Sequence, residues 1–234
     1  FSDTTLNHFM LHKVGLPTFY GQAFLPDVCE LAPEMLPYTK RYFEEFLKTG
    51  TIREVRPSEL WYTSRTDFSP EALGTELPAH KNTGFELLQG PAQFDGEILG
   101  GCIDSMYEMF SGWRYGDMPE VCRNYGLFPS MDDWLGKILL MESCEEYMPP
   151  ETYKKALETL QETGVFDAVS GVLVGKPMDD MYHEEYKKLL VETISNKELP
   201  ILCNINVGHA QPRCILPFGV PAHVDADAQV IRFG

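Results

Sequence analysis

Lys137-Ile138-Leu139-Leu140-Met141-Glu142 is a short apolar run that ends in a carboxylate, with a polar loop and then Pro149-Pro150 behind it. An apolar run of this length, bounded by turn residues, fits a strand buried on both faces, and the proline pair introduces a helix. Glu142 then stands at the C-terminal edge of a strand, where open α/β sheets place reacting groups. Downstream, Leu199-Pro200-Ile201-Leu202-Cys203-Asn204-Ile205-Asn206-Val207 is a second buried-strand candidate, and it empties into Gly208-His209-Ala210-Gln211-Pro212, a loop presenting an imidazole. Residues 172–174 form another strand candidate. Helical faces separate these strands, one carrying Tyr153, Ala156, Leu157 and Leu160 and the next Tyr186, Leu189, Leu190 and Ile194. Helices between strands imply parallel pairing, whereas the short pieces at 214–216, 222–224 and 229–233 imply antiparallel strands.

At the other end of the chain, Phe1-Ser2-Asp3-Thr4-Thr5 runs into Leu6, Phe9 and Met10 at i, i+3 and i+4, which predicts a helix with Ser2 at its start and that face buried. On local pattern Ser2 or Asp3 is either an N-cap or, for Ser2, a nucleophile whose oxyanion the free helix N–H groups would stabilise. Leu16 to Gly21 reads as a short strand and turn, and residues 37–49 as a helix with Tyr38, Tyr42, Phe43, Phe46 and Leu47 on its apolar side. From 50 to 90 the pattern is irregular and rich in Pro, Thr, Ser and charge, with Trp61, Tyr62 and Phe68 interspersed, which predicts a linker with arms. The expected division is therefore 1–49 as the tail of an N-terminal α/β domain, 50–90 as linker, and 91–234 as a C-terminal α/β domain. In the last of these, Gly100-Gly101 opens a helix bearing Ile103, Met106, Tyr107 and Phe110.

With 234 residues, 44% of them hydrophobic, the chain can bury a proper core. Its 35 acidic against 19 basic residues give a net charge of -16, which argues against nucleic acid or an anionic membrane as the main partner. No apolar stretch approaches the roughly twenty residues of a bilayer span. Cys29, Cys102, Cys122, Cys144, Cys203 and Cys214 form no C-x-x-C pair and read as reduced and mostly buried, consistent with a cytoplasmic protein.

The set Phe1-Ser2-Asp3-Thr4-Thr5, Gly96 to Cys102, Ile138 to Glu142, Gly171 to Lys176 and Gly208-His209, with Leu216-Pro217-Phe218-Gly219 behind it, resembles the LD-carboxypeptidase and microcin C self-immunity family of serine peptidases in order and spacing along nearly the whole chain. The resemblance implies the C-terminal part of a Rossmann-like N-terminal domain joined to a swivelling β/α domain, with the active site between them. It implies a triad of Ser2 as nucleophile, Glu142 as orienting acid and His209 as general base, with the Asp3 backbone N–H as oxyanion donor. It also implies a homodimer and no metal or organic cofactor. One branch of the family removes a terminal D-alanine from murein tetrapeptide. The other hydrolyses the amide joining an aminoacyl or peptidyl group to a nucleotide-like sulfamoyl adenosine. The long, aromatic-bearing interval between Ser2 and Glu142 favours the second, and a non-catalytic ligand-binding homologue or an inactive fragment is the reading from a different class.

Family members carry strands and helices ahead of the serine, so the expectation is that this sequence is part of a longer polypeptide. Trp61 is expected either to pack within the linker or to stack on a substrate ring, and Gly100 and Gly101 to form a tight turn close to substrate. The segment from Gly112-Trp113-Arg114-Tyr115 to Trp134 stands as an insertion where a short connection would suffice. His223, Asp225 and Asp227 are the weighed metal ligands, set below a solvated strand face, and Cys144 and Cys203 the weighed thiol nucleophiles, set below buried core. His8, His12, His80 and His183 are read as structural or surface side chains.

Overall fold

The computed structural model describes residues 1–234. A 3₁₀ turn over Ser2–Thr4 leads into α1 (Thr5–Lys13), then β1 (Thr18–Tyr20), α2 (Pro37–Thr49), β2 (Glu54–Val55), β3 (Leu60–Tyr62), β4 (Ala79–Lys81), β5 (Glu86–Gln89) and β6 (Gln93–Cys102). There follow α3 (Ile103–Ser111), α4 (Met118–Tyr125), α5 (Met131–Trp134), β7 (Ile138–Glu142), α6 (Pro150–Glu162), α7 (Val165–Ala168), β8 (Gly171–Gly175), α8 (His183–Thr193), β9 (Ile201–Ile205), β10 (Leu216–Phe218), β11 (Pro221–Asp225) and β12 (Val230–Phe233).

Eight strands make one mixed sheet in the order β2-β12-β11-β6-β7-β8-β9-β5. Its centre, β6 to β9, is parallel, because helical crossovers separate those strands in sequence. Every residue of β7, β8 and β9 is buried, and apart from Glu142 and Asn204 these strands are apolar throughout rather than alternating. The outer strands are antiparallel: β11 hairpins with β12 and pairs with the first half of β6, while β5 lies against β9. β6 is long enough to do both, pairing Gln93–Glu97 with β11 and Ile98–Cys102 with β7. Cys102 sits opposite Glu142 in that register, so the loops after β6 to β9 open along one edge, and the candidate site lies there.

Residues 50–90, expected as a linker with arms, supply two strands of this sheet, β2 at one edge and β5 at the other. Ile52, Val55 and Phe85 join a single cluster of 47 buried hydrophobic residues that also holds Phe9, Tyr20 and Tyr42 from the first 49 residues. The strands here are too short for a period to emerge between the Pro and Thr residues. Within this segment β3 and β4 stand apart, as a separate two-stranded sheet.

The first helix buries a different face from the expected one. Thr5, His8 and Phe9 are buried, Leu6 is half-buried and Met10 is 43% exposed. A polar contact sets this rotation: Thr5 Oγ1 accepts the Cys102 N–H at 2.9 Å, docking α1 on β6, while Phe9 meets Trp134 edge-on. Hydropathy periodicity does not register a threonine used in this way. β1 pairs antiparallel with β10, which brings Tyr20 opposite Leu216 and under the same edge. No helix is long and apolar enough to cross a membrane.

Candidate active site

Glu142 is the last residue of β7, and its side chain is fully buried. A buried carboxylate is tolerated only when its oxygens are occupied, and here both are. Tyr20 donates its hydroxyl to Oε1 at 2.5 Å, and His209 is bound to Oε2 twice, by Nδ1 at 2.7 Å and by its backbone N–H at 3.2 Å. Gly208 makes the approach possible. It lies at φ +84°, and a Cβ there would run into the Glu142 carboxylate.

The imidazole is thereby fixed in orientation, with Nδ1 committed to Glu142 and Nε2 directed away from it. Phe1 packs edge-on against the His209 ring with centroids 4.7 Å apart, so the chain start and the β9 loop meet. Ser2, the next residue, has φ +64°, a left-handed conformation that a serine rarely adopts and that costs of order 1–3 kcal/mol. Tight turns of this kind lift a nucleophile's hydroxyl clear of its own backbone. Ser2 and His209 both line a cavity of about 750 Å³, together with Arg65, Glu145 and Arg213.

The charges around this cavity are matched in pairs. Arg213 is buried, held by Asp27 at 2.8 Å and by the carbonyls of Gly208 and His209, so it braces the histidine loop from behind. Arg65 is paired with Glu30. Glu145 reaches His209 Nε2 at 2.9 Å. Burial opposes a charge on His209, but the Glu142 and Glu145 carboxylates outweigh it and push its pKa up to about 10. The contact with His209 holds Glu145 down at about 2.

A folded-state pKa raised from 6.5 to about 10 means that the native protein keeps a proton the unfolded chain releases. The stabilisation is complete below pH 6.5 and is lost as the pH rises toward about 10. Urea unfolding of the intact protein is expected to show a midpoint falling across this window, and to lose that slope in His209→Gln. A slope unchanged by the substitution would contradict the assignment.

Glu142 and His209 are thus in contact, and Ser2 lines the same cavity as His209, from positions far apart in the sequence. Gly100 and Gly101 lie within the buried end of β6 rather than on the cavity wall. A Cβ on Gly101 would strike Thr5 and Tyr20, so this glycine lets α1 and β1 approach the sheet. Trp61 is on β3, stacked on His80 with centroids 4.1 Å apart and with the Lys176 ammonium 4.9 Å from its ring, outside the residues lining the cavity. Asp3 follows Ser2 in the 3₁₀ turn. Tyr20, Glu145, Asp27 and Arg213 were not singled out from the sequence. Glu145 follows Glu142 by three residues and Arg213 follows His209 by four, so proximity to the edge loops was the available signal.

Of the weighed alternatives, Cys203 is buried within β9, where burial raises its thiol pKa. His223 pairs with Asp95 at 2.8 Å, while Asp225 accepts from Gln93 and the Ala228 N–H. Cys102, Glu142 and His209 bring ligand-type atoms within 4.8 Å of one another. Those atoms already form a hydrogen-bonded set, since Tyr20 and His209 occupy the Glu142 oxygens and Cys102 Sγ faces Asp104 at 3.5 Å.

Residues 95–224 match the LD-carboxypeptidase C-terminal domain family. The microcin C7 self-immunity protein MccF of Escherichia coli is 26% identical over 233 residues, which covers 97% of this chain and 62% of that protein. The chain therefore spans less than two thirds of that relative's length. An MccF-like protein from Streptococcus pneumoniae, crystallised in complex with AMP, is 58% identical with a TM-score of 0.98, over 100% of this chain and 68% of that one. MccF in complex with aspartyl sulfamoyl adenosine superposes with a TM-score of 0.75 at 23% identity, over 100% of this chain and 65% of that one, and shares the fold.

Proposed function

Because the chain belongs to the LD-carboxypeptidase family of peptidases, we propose that the intact protein is a serine hydrolase that cleaves the amide between an aminoacyl or peptidyl group and a nucleotide-like leaving group. The observation that carries this reading is the buried Glu142–His209 hydrogen bond of 2.7 Å beside a cavity that Ser2 also lines. His209 Nε2 takes the Ser2 hydroxyl proton as Oγ attacks the carbonyl and returns it to the leaving nitrogen. Glu142 holds the imidazole in the tautomer with Nδ1–H and stabilises the imidazolium between the two transfers. The Asp3 N–H receives the oxyanion. A water then repeats the sequence on the acyl-enzyme.

The nucleotide-directed branch is favoured because the 58% identical relative was crystallised with AMP, and because the cavity of about 750 Å³ is large enough for a nucleotide ester or amide. The reading also takes residues 1–49 as the tail of a Rossmann-like domain and 91–234 as a swivelling β/α domain, with the connecting residues 50–90 lending it two edge strands, in a homodimer acting in the cytoplasm. Trp61 is retained as a candidate ring-stacking residue. The test is to assay the intact protein on aspartyl sulfamoyl adenosine and on murein tetrapeptide side by side. Cleavage of the first at a kcat/KM at least about a hundredfold higher is expected. Preference for the tetrapeptide would move the assignment to the murein branch, and cleavage of neither would favour a non-catalytic binding protein.

A further inference from the structure

Glu145 occupies the nitrogen that catalysis would need. His209 Nδ1 is committed to Glu142, so Nε2 is the ring atom left to meet a hydroxyl, and Glu145 Oε2 holds it at 2.9 Å. The two carboxylates differ in freedom. Glu142 is sealed inside the protein, whereas the Glu145 side chain is 59% exposed, on a turn between β7 and α6. The next residue, Glu146, is paired with Arg114.

The charge pairing of the cavity wall gives this contact a consequence. Arg65 already answers Glu30, and Arg213 already answers Asp27. Among the acids of the wall, Glu145 alone is matched by the imidazolium. If His209 is to accept a proton it must first be neutral, and that leaves Glu145 with no cation in direct contact, since Arg114 nearby is paired with Glu146. A cation delivered by the substrate would restore the balance. The Nε2 atom must reach both the attacking hydroxyl and the leaving nitrogen, so a group beside it lies within a bond or two of the scissile carbonyl. In an aminoacyl substrate the cation at that position is the α-ammonium.

We propose that Glu145 is the receptor for the α-ammonium group on the acyl side of the scissile amide, and that this ammonium draws the carboxylate off His209 Nε2, freeing the imidazole to meet Ser2. The proposal rests on the serine hydrolase reading above. The exchange balances: the Nε2 proton leaves to solvent, Glu145 trades an imidazolium N–H for an ammonium N–H, and the Nε2 lone pair then accepts the Ser2 hydroxyl proton. The titratable and charged side chains around the imidazole are Glu142 with the Tyr20 hydroxyl behind it, the Cys102 thiol beside Glu142, Glu145 with Arg114 near it, and the Arg213 guanidinium bound to the His209 carbonyl, while the Phe1 ring packs edge-on against it. Of these, Glu145 is the exposed acid that directly contacts the ring.

The test compares aspartyl sulfamoyl adenosine with its N-acetylated form on the intact protein and on Glu145→Gln and Glu145→Asp. The protein as it stands is expected to prefer the free amine by at least about tenfold in kcat/KM, the worth of a half-exposed charge pair, with kcat lowered as well as KM raised for the acetylated form, which leaves Glu145 on Nε2. Glu145→Gln should reverse this, losing rate on the free amine and gaining on the acetylated form, and Glu145→Asp should keep part of the preference. Calorimetry on Ser2→Ala, in buffers of different ionisation enthalpy near pH 7.5, should show about one proton released on binding the free amine and none on binding the acetylated form. Equal preference in Glu145→Gln and its parent, or no difference in proton release, would overturn the role given to Glu145 and leave the triad standing. Turnover surviving in Ser2→Ala would overturn the triad and this proposal with it.

Discussion

Replacing Ser2 with alanine in the intact protein is expected to lower kcat by roughly 10⁴–10⁶-fold, the range that removal of a triad nucleophile produces. The size follows from what is removed. Without Oγ there is no acyl-enzyme, and His209 has no hydroxyl to activate, so only substrate binding and oxyanion donors remain to act on water. Folding should be little affected, since the Ser2 side chain is half-buried and no buried hydrogen bond depends on its hydroxyl. What Ser2 contributes to its neighbours is its carbonyl, which accepts from Thr5 Oγ1 at 2.7 Å, and alanine keeps that group. Alanine also inherits the left-handed backbone at φ +64°, a cost serine already bears. A kcat within tenfold of the parent, in a variant with an unchanged melting temperature, would remove Ser2 from the chemistry.

Glu142→Gln should be nearly as damaging, with kcat down by about 10⁴-fold, as when the orienting acid of a serine triad becomes an amide. The glutamine carbonyl can still accept the Tyr20 hydroxyl, so the packing around β7 survives. Its NH₂ then faces His209 Nδ1 and donates to it, which drives the ring proton onto Nε2. That is the tautomer unable to take a proton from Ser2. The same substitution removes the larger attraction holding the imidazolium, so the decline of stability between pH 6.5 and about 10 should weaken with it. Kinetics and urea unfolding on one preparation test both halves. Loss of rate with the pH slope intact would detach Glu142 from His209, whose hydrogen bond is the firmest feature of the site.

The strand edge that carries Glu142 and the loop that carries His209 were legible because β7 and β9 are buried on both faces, and full burial writes itself as an apolar run with abrupt ends. The mixed sheet was legible for the same reason, helices alternating with such runs. Tyr20 was not, because β1 finds its partner β10 nearly two hundred residues away and nothing local marks its hydroxyl for a carboxylate. Gly100 and Gly101 read as a tight turn close to substrate, whereas they lie within β6, Gly101 against the protein's own Thr5 and Tyr20 and Gly100 against the Leu140 backbone, and a glycine pair in sequence does not say which neighbour it admits. Thr5 itself shows how a polar residue can set the phase of a helix that hydropathy assigns otherwise. The pairing of Glu145 with His209 belongs to a turn conformation, which a run such as Ser143-Cys144-Glu145-Glu146 does not dictate.

The central claim is that three distant side chains make one hydroxyl reactive, and active-site labelling tests it most directly. The intact protein is treated with a fluorophosphonate and digested, and the modified peptide is identified by mass spectrometry. The account predicts stoichiometric modification of Ser2, abolished in Ser2→Ala and slowed by several orders of magnitude in His209→Ala. Label on another residue, or on Ser2 at the same rate with and without His209, would contradict it.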